Sequence, residues 1–287
     1  MPGNKNIKKI AVLGFPIKHS LSPKIHNYWL KKNNLRGSYT AIETPLNNLK
    51  KTIIKLCREN YVGVNLTIPL KEKAVKYLHK SDDIVNFTGA VNTIAFHQKK
   101  FIEGKNTDVE GFKKSLLELT KNKIRKKAII IGNGGAARAI LYVLLKLEYQ
   151  EIVVCARNLK KSNVLESNMK KLKLNNSKTK IILNNINDLK KQLKKADLLV
   201  NTTPLGMKGF GNLNFSIEFL EKKTLVFDLV YNPLETRLLN KAKKNGNKSV
   251  NGLRMLLYQA QESFNEWFHK KPKITNELEN LIKGKVK

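Results

Sequence analysis

Polar side chains that could bind a small hydroxylated ligand follow several predicted strands of this chain. Ser20 and Ser22 follow the first predicted strand, and Asn65 and Thr67 stand at the end of the third. Alternation along a strand places Asn65 and Thr67 on one face, and Pro69 then ends that strand. A serine before a proline is also a common helix N-cap, which is the alternative interpretation of Ser22. Because open α/β sheets bind ligands at the carboxyl ends of their strands, these residues indicate a ligand site.

Lys71 and Asp108 are the candidates for proton transfer. We predict a helix over residues 71–78, which places Lys71 at a helix N-terminus, where the dipole disfavours a cation and favours loss of a proton. The alternative is one solvated lysine among many. The segments GAVNT at 89–93 and NTD at 106–108 add the amide of Asn92 and the carboxylate of Asp108 at further strand ends.

Residues 132–137, GNGGAA, lie between a predicted buried strand and a predicted helix and match the dinucleotide-binding pattern GxGxxG/A. Gly132 permits a tight turn, and Gly134 lets the backbone approach a pyrophosphate. Ala137 is small enough for the helix to pack against the strand. The helix N-terminus offers free N–H groups and a partial positive charge to phosphates. An ordinary glycine turn is the alternative, and the two flanking elements favour a dinucleotide site.

The end of the next predicted strand indicates which dinucleotide binds. An NAD enzyme usually places Asp or Glu there, but this strand ends Cys155-Ala156-Arg157-Asn158, and Lys161 follows closely. A guanidinium without a neighbouring acid suits the 2′-phosphate of NADP. Arg157 could also be an ordinary surface cation, and its position favours NADP.

The elements that must position these residues alternate between strands and helices, which is typical of an α/β fold with mainly parallel sheets. We predict strands over 9–13, 38–43, 63–67, 90–97, 128–131, 151–155, 181–183, 196–201 and 225–229, with a turn at Gly104. We predict helices over 23–32, 49–59, 71–78, 108–119, 136–147 and 252–268. We expect an exposed connection near 170–180 and expect the last helix to pack on the first domain.

The composition excludes several classes of protein. No segment approaches the ~20 apolar residues that a membrane span needs. The two cysteines and five histidines show no metal-binding spacing, so we expect no metal and expect reduced cysteines in a cytoplasmic protein. The net charge of +33 would attract polyanions, but most of the excess is lysine without interleaved aromatic residues. We therefore expect neither a specific nucleic-acid partner nor a membrane partner.

Taken together, the motifs show that the chain resembles the shikimate dehydrogenase family from Ile10 to about Phe264. The matching segments are SLSP at 20–23, NLTIPLK at 65–71, GAVNT at 89–93, NTD at 106–108, GNGGAARA at 132–139, NTTPLGM at 201–207, VYNP at 230–233 and NGLRMLLYQAQ at 251–261.

The resemblance implies a reversible reduction of 3-dehydroshikimate to shikimate with NADPH, a step toward aromatic amino acids. It implies two α/β domains: a mainly parallel substrate domain at 1–107, completed by C-terminal helices at 246–287, and an inserted Rossmann-type NADP domain at 108–245. Lys71 is implied as the acid/base and Asp108 as its partner. The implied substrate residues are Ser20, Ser22, Asn65, Thr67, Asn92, Asp108, Tyr231 and Gln259. The implied cofactor residues are Asp83, Gly132, Asn133, Gly134, Gly135, Ala136, Arg157, Asn158, Lys161, Leu229 and Gly252.

The chain departs from the family pattern beside the implied 2′-phosphate site. Ala156 replaces the family's asparagine, Asn158 replaces a threonine, and Lys161 stands where a second arginine is common. Fewer side-chain contacts to the phosphate would weaken the preference for NADP.

Three other functions remain open on the sequence. One is a broad-specificity quinate/shikimate dehydrogenase that uses NAD or NADP, against which Arg157 argues. Another is a basic nucleic-acid-binding protein on a Rossmann scaffold, which leaves the polar strand ends unexplained. The third is a sensor that binds both ligands without turnover, against which Lys71 and Asp108 argue. The sequence also leaves the oligomeric state open, with a homodimer as one option.

Overall fold

The computed structural model describes residues 7–98, 100–120, 126–159 and 179–286, and the chain divides into two compact units. The first unit comprises residues 1–110 and 257–284, and the second comprises residues 111–256 and 285–287. The chain leaves the first unit within a helix that begins at Asp108 and returns within a helix that begins at Leu253.

Each unit contains one six-stranded sheet. The strands are β1 Lys8–Gly14, β2 Gly37–Glu43, β3 Tyr61–Leu66, β4 Lys80–Ser81, β5 Thr93–His97, β6 Phe101–Lys105, β7 Lys127–Ile131, β8 Glu151–Ala156, β9 Lys180–Asn185, β10 Leu198–Asn201, β11 Leu225–Asp228 and β12 Ser249–Val250. The described α-helices are α1 Ser22–Lys32, α2 Leu49–Arg58, α3 Asp83–Thr88, α4 Asp108–Leu117, α5 Gly135–Lys146, α6 Leu189–Gln192, α7 Arg237–Lys244, α8 Leu253–Phe268 and α9 Asn276–Lys283.

The sheet of the first unit is mixed, with strand order β2-β1-β3-β5-β6-β4. β1 pairs in parallel with β2 and β3, and β4 pairs in parallel with β6. β5 is antiparallel to both β3 and β6. The carboxyl end of β3 therefore lies beside the start of β5 and the end of β6, which brings Asn65, Asn92 and the 106–108 segment to one edge.

The sheet of the second unit is parallel throughout, with strand order β12-β11-β10-β7-β8-β9. The chain runs from β7 through α5 to β8 on one side, and later places β10 on the other side of β7. This reversal of direction beside β7 is the position at which doubly wound sheets bind ligands. Strand residues 128–131 are buried, as a sheet covered on both faces requires. The predicted α/β class with a Rossmann-type domain is confirmed.

Two local predictions are wrong. Residues 71–78 do not form an α-helix but a series of turns and a short 3₁₀ helix over Val75–Tyr77. The Lys71 carbonyl accepts a hydrogen bond from Val91 N (3.0 Å), whereas in an α-helix it would accept from the amide four residues later.

Gly104 does not form a turn but lies within β6, paired with Ile94. A Cβ atom at Gly104 would come within 2.8 Å of Leu78 Cδ2 and 2.9 Å of Val91 Cγ2. The glycine is therefore explained by close packing, and the chain reverses between β5 and β6 instead. Residues 170–178 of the predicted connection lie outside the described residues.

The C-terminal part of α8 packs on the first unit, as predicted. Trp267 contacts a buried cluster that includes Ile10, Val12 and Tyr39, and its Nε1 donates to the Ile94 carbonyl (3.0 Å). Among the described residues, no helix is long and apolar enough to cross a membrane. The same residues contain no group of His, Cys, Asp or Glu side chains that could hold a metal ion.

Candidate active site

A short ion pair at the polar edge of the first unit joins the two residues proposed for proton transfer. Lys71 Nζ lies 2.6 Å from Asp108 Oδ2, and the side chains are 21% and 6% exposed. Asp108 is the first residue of α4, where the helix dipole favours a carboxylate. The pair therefore combines a nearly buried anion with a cation that water still reaches.

The electrostatic reason that the sequence suggested for Lys71 is wrong. That reason was a helix N-terminus at residue 71, and no α-helix begins there. The neighbour that governs the ammonium is instead Asp108, brought from 37 residues away. Tertiary structure thus keeps Lys71 as a candidate for a different physical reason.

The side-chain amide of Asn92 links the ion pair to the rest of the polar edge. Its Oδ1 accepts from Thr107 N (2.8 Å), which fixes the amide orientation. Its Nδ2 then donates to Asp108 Oδ1 (2.8 Å) and lies 3.4 Å from Gln259 Oε1. Asn92 is 2% exposed, so this orientation is set by protein groups.

Asn65 is buried and hydrogen-bonded within the protein, whereas the sequence suggested a side chain that faces the ligand. Its Oδ1 accepts from Tyr39 Oη (2.6 Å), and its Nδ2 lies 2.9–3.1 Å from Ser263 Oγ, the Asn92 carbonyl oxygen and Thr93 Oγ1. The residue is 5% exposed. Among the described residues these partners use both amide hydrogens of Asn65, so the amide supports the neighbouring side chains.

Ser20 and Ser22 stand at the start of α1, but neither hydroxyl caps the helix. The N-cap is Leu21, which provides no side-chain cap, and Ser20 Oγ instead accepts from Ser22 N (3.3 Å). Burial raises the pKa of the Tyr39 phenol well above its usual value, and the Ser22 side chain opposes this rise. The Tyr39 hydroxyl itself donates to Asn65.

The remaining predicted substrate residues lie in both units. Thr67 and Gln259 are partly exposed in the first unit, and Thr67 N donates to the Leu13 carbonyl beyond the end of β3 (2.9 Å). Tyr231 belongs to the second unit, where burial raises the pKa of its phenol.

The predicted dinucleotide turn follows β7 with the expected geometry. Gly132 has φ +109°, and a Cβ there would lie 2.6 Å from Thr202 Oγ1, so both the conformation and the space favour glycine. Gly134 is the N-cap of α5 and supplies no side-chain cap. Gly135 and Ala136 form the first turn of α5, so small residues surround a helix N-terminus whose N–H groups are suited to phosphate.

The end of β8 fits a 2′-phosphate. Arg157 and Asn158 are exposed directly after the strand, and in the part of the chain that the structure describes no carboxylate pairs with Arg157. Asn133 Nδ2 donates to the Asn158 carbonyl (2.7 Å), which ties the glycine turn to this strand end. The donor set therefore fits NADP. Lys161 lies outside the described residues.

Leu229 and Gly252 meet after β11 and β12 in the second unit. A Cβ at Gly252 would overlap the Leu229 carbonyl, so only glycine allows this approach. The buried Asp228 precedes Leu229 and accepts from Thr236 Oγ1 (2.7 Å) and Asn201 Nδ2 (2.8 Å), while desolvation raises its pKa. Asp83 is exposed in the first turn of α3, in the first unit.

Four further residues contact the candidate residues but were not predicted from the sequence: Tyr39, Thr93, Thr107 and Ser263. Thr93 and Thr107 stand inside the motifs GAVNT and NTD, so their position was a usable signal. Tyr39 lies on a strand and Ser263 on a helix with no motif around either residue, and only the fold brings them to Asn65.

Comparison with known proteins is consistent with this geometry. A family model described as the shikimate dehydrogenase substrate binding domain matches residues 12–94, and one described as shikimate / quinate 5-dehydrogenase matches residues 115–229. The shikimate dehydrogenase (NADP(+)) of Bartonella quintana (strain Toulouse) is 35% identical over 276 residues, which cover 94% of this chain and 91% of that protein.

Solved structures give the same result. A crystal structure of a shikimate dehydrogenase in complex with NADP+ has a TM-score of 0.87 and 34% identity, and covers 98% of this chain and 96% of that one. The shikimate 5-dehydrogenase of Listeria monocytogenes, in complex with shikimate and NAD, has a TM-score of 0.82 and 31% identity, and covers 99% and 98%. On sequence and fold together, this chain belongs to the shikimate dehydrogenase family of oxidoreductases.

Proposed function

We propose that this protein is an NADP-dependent shikimate dehydrogenase that interconverts 3-dehydroshikimate and shikimate. The observation that carries the proposal is the Lys71–Asp108 pair at 2.6 Å, held by Asn92 at the polar edge of the first unit. Relatives named shikimate dehydrogenase (NADP(+)) and a solved relative in complex with shikimate support the choice of substrate.

Lys71 is the acid/base of the proposed mechanism. In the direction of reduction, Lys71 Nζ donates a proton to the substrate oxygen as the carbonyl becomes an alcohol, and in oxidation it takes that proton back. Asp108 keeps the ammonium in place, and the partial exposure of Lys71 allows water to restore its proton. The chemistry that NADP(H) supplies when bound is hydride transfer to or from the ring carbon.

The remaining candidate residues bind and orient the two ligands. Ser20 and Ser22 take the substrate carboxylate, while Thr67, Asn92, Asp108 and Gln259 take the ring hydroxyls and the reacting oxygen. Tyr231 of the second unit is a further substrate residue that we assign from the resemblance to the family alone. Asn65 contributes through its hydrogen-bond partners. We assign substrate binding to 1–107 with 246–287 and cofactor binding to 108–245.

Residues around α5 and β8 hold the cofactor in this proposal. The turn of Gly132, Asn133, Gly134, Gly135 and Ala136 takes the pyrophosphate. Arg157 and Asn158 take the 2′-phosphate, and we assign Lys161 to the same role from its place in the sequence. Leu229 and Gly252 contribute near the nicotinamide, and Asp83 of the first unit is a further cofactor residue that we assign from the resemblance alone. An acid that would select NAD is absent from the described end of β8.

Spectrophotometry of NADPH formation tests the proposal. Shikimate with NADP+ should give rapid reduction, whereas quinate and NAD+ should react much more slowly. Lys71→Ala should lower kcat by about 10³-fold, because the proton of the substrate hydroxyl must then go to water. Lys73→Ala removes an exposed lysine from the same segment and should stay within about twofold of the wild type.

The cofactor assignment is tested by Arg157→Ala. Loss of a charge-assisted contact should raise the KM for NADP+ by about tenfold and leave the KM for NAD+ unchanged. Comparable wild-type rates with quinate or NAD+ would instead establish the broad-specificity alternative. A folded protein that binds shikimate and NADP+ but turns over no pair would be the sensor.

A further inference from the structure

A cluster of three buried hydroxyls lies directly beside Asn65 and Asn92 in the first unit. The hydroxyl cluster consists of Thr93, Thr107 and Ser263, with Oγ–Oγ distances of 2.7 Å from Ser263 to Thr93 and 3.2 Å from Ser263 to Thr107. Thr93 Oγ1 and Thr107 Oγ1 are also 3.2 Å apart. Their residues are between 0% and 7% exposed, so the hydrogen bonds must be satisfied within the protein.

Ser263 occupies the centre of this cluster. Its Oγ lies 2.9 Å from Asn65 Nδ2 and 3.0 Å from the Gln259 carbonyl oxygen, in addition to the two threonine hydroxyls. A serine in a helix commonly donates to the carbonyl four residues earlier, and Ser263 can make that bond. Two lone pairs then remain for Asn65 and a threonine, which matches the capacity of one hydroxyl.

This arrangement affects the Lys71–Asp108 ion pair through Asn92. Thr93 Oγ1 and Thr107 Oγ1 lie 3.0 and 3.1 Å from Asn92 Oδ1, on the amide that donates to Asp108. Because each hydroxyl has one proton, Thr93 can donate to Ser263 while Thr107 donates to Asn92. Loss of the Ser263 hydroxyl would remove the acceptor of Thr93 and one of the three acceptors near Asn65 Nδ2. Thr93 would then turn its proton to Asn92 Oδ1, which Thr107 already uses, and so disturb the Asn92 amide.

We propose that Ser263 is a positioning residue for the reaction, which acts by fixing Asn65, Thr93 and Thr107 and through them the amide of Asn92. The proposal rests on the proposed function, since it assigns to Asn92 and Gln259 the binding of substrate. Ser263 belongs to the helix that carries Gln259, so its hydroxyl also fixes that residue's helix against β5.

Steady-state kinetics of Ser263→Ala test this role. We expect the KM for shikimate to rise about fivefold and kcat to fall about fivefold, while the KM for NADP+ stays within about twofold. A merely structural role would reduce the amount of active enzyme and leave the KM for shikimate unchanged. Ser263→Cys replaces the hydroxyl by a slightly larger thiol that hydrogen-bonds weakly, so it should resemble Ser263→Ala and provides a second variant if the alanine variant does not fold.

Ser115→Ala is the matched control. Ser115 is another helical serine that is only 1% exposed, but its Oγ has no hydrogen-bond partner among the described residues. The same substitution there should leave both KM values and kcat unchanged.

A double-mutant cycle decides whether Ser263 acts through Thr93. If the two hydroxyls work as a unit, the double variant Ser263→Ala/Thr93→Val should lower kcat/KM for shikimate little more than either change alone. Strict additivity, or an unchanged shikimate KM in both Ser263 variants, would overturn the proposal.

Calorimetric titration with shikimate separates this proposal from the proposed function. If the wild type binds shikimate without turnover, the proposed function fails, and a Ser263→Ala Kd that is about fivefold weaker still supports the positioning role. A wild type that neither binds shikimate nor turns it over overturns both.

Discussion

At the scale of single residues, the first unit buries a histidine that has no polar contact among the described residues. His26 is 1% exposed, and neither ring nitrogen has a hydrogen-bond partner there. Its ring stacks on Tyr39 with a centroid distance of 4.2 Å and an interplanar angle of 1°, and Phe264 and Trp267 lie nearby. Burial lowers the pKa of His26 to about 3, so the native ring is neutral.

This histidine should make the first unit sensitive to acid. Between about pH 3 and 6.5 the unfolded chain binds a proton at His26 and the native chain does not, so the free energy of unfolding falls as pH falls. The contribution is about 1.4 kcal/mol per pH unit in that window. In His26→Phe the flat ring is retained and this contribution disappears.

Urea unfolding of the wild type and His26→Phe at pH 7, 5.5 and 4.5 would measure the difference. Both tryptophans of the chain, Trp29 and Trp267, belong to the first unit, so their fluorescence follows the relevant unit. The two stability curves should diverge steadily below pH 6.5. Parallel curves over this range would show that His26 does not titrate as described.

At the scale of elements, the contact between α8 and the first sheet depends on a glycine. Gly63 in β3 lies under Trp267, whose Nε1 donates to the Ile94 carbonyl of the neighbouring strand (3.0 Å). A Cβ atom at Gly63 would overlap both the indole nitrogen and that carbonyl oxygen. Because α8 also carries Gln259 and Ser263, this contact sets the position of site residues.

Gly63→Ala should therefore push α8 away from β3 and β5. We expect the free energy of unfolding of the first unit to fall by about 1–3 kcal/mol, because the Ile94 carbonyl oxygen cannot move aside. Urea unfolding monitored by tryptophan fluorescence would measure this loss. Shikimate binding should weaken in the same variant.

Gly284→Ala, in the same unit, is the control for this substitution. The nearest atom to a Cβ there is 3.5 Å away, an ordinary contact, and the residue is exposed, so the free energy of unfolding should change by less than about 0.5 kcal/mol. An equal loss in both variants would argue against the packing explanation.

At the scale of the whole molecule, the net charge of +33 acts on ligands that are anions. Shikimate carries a carboxylate and NADP+ carries phosphates, so a basic protein should attract both over several ångströms in water. The Debye length is about 10 Å at 0.1 M salt, and added salt therefore weakens this attraction.

We expect kcat/KM for shikimate and for NADP+ to fall several-fold between about 20 and 300 mM NaCl, while kcat stays nearly constant. Initial rates across a salt series would measure this, with sucrose at equal osmolarity as the uncharged control. If kcat/KM does not change with salt, the excess charge does not assist ligand capture.

The α/β class, the dinucleotide turn at Gly132 and the family could all be predicted from the sequence, because they depend on local patterns and on motifs in a fixed order. The resemblance also identified Lys71 and Asp108 as partners. The electrostatic reason that the sequence suggested for choosing Lys71 was wrong, because the predicted helix at 71–78 does not form and the Lys71 carbonyl instead accepts from Val91 N.

The contacts between buried polar groups could not be predicted from the sequence. Asn65, Thr93 and Ser263 come from a strand, a second strand and a helix that are far apart in the chain, and their hydrogen bonds exist only after the sheet and α8 have packed. A local pattern indicates the propensity of one segment, whereas a buried polar network depends on contacts of about 3 Å between residues that are far apart in the chain. The same reason explains why Gly104 was expected in a turn, since its neighbours Leu78 and Val91 are adjacent only in the folded protein.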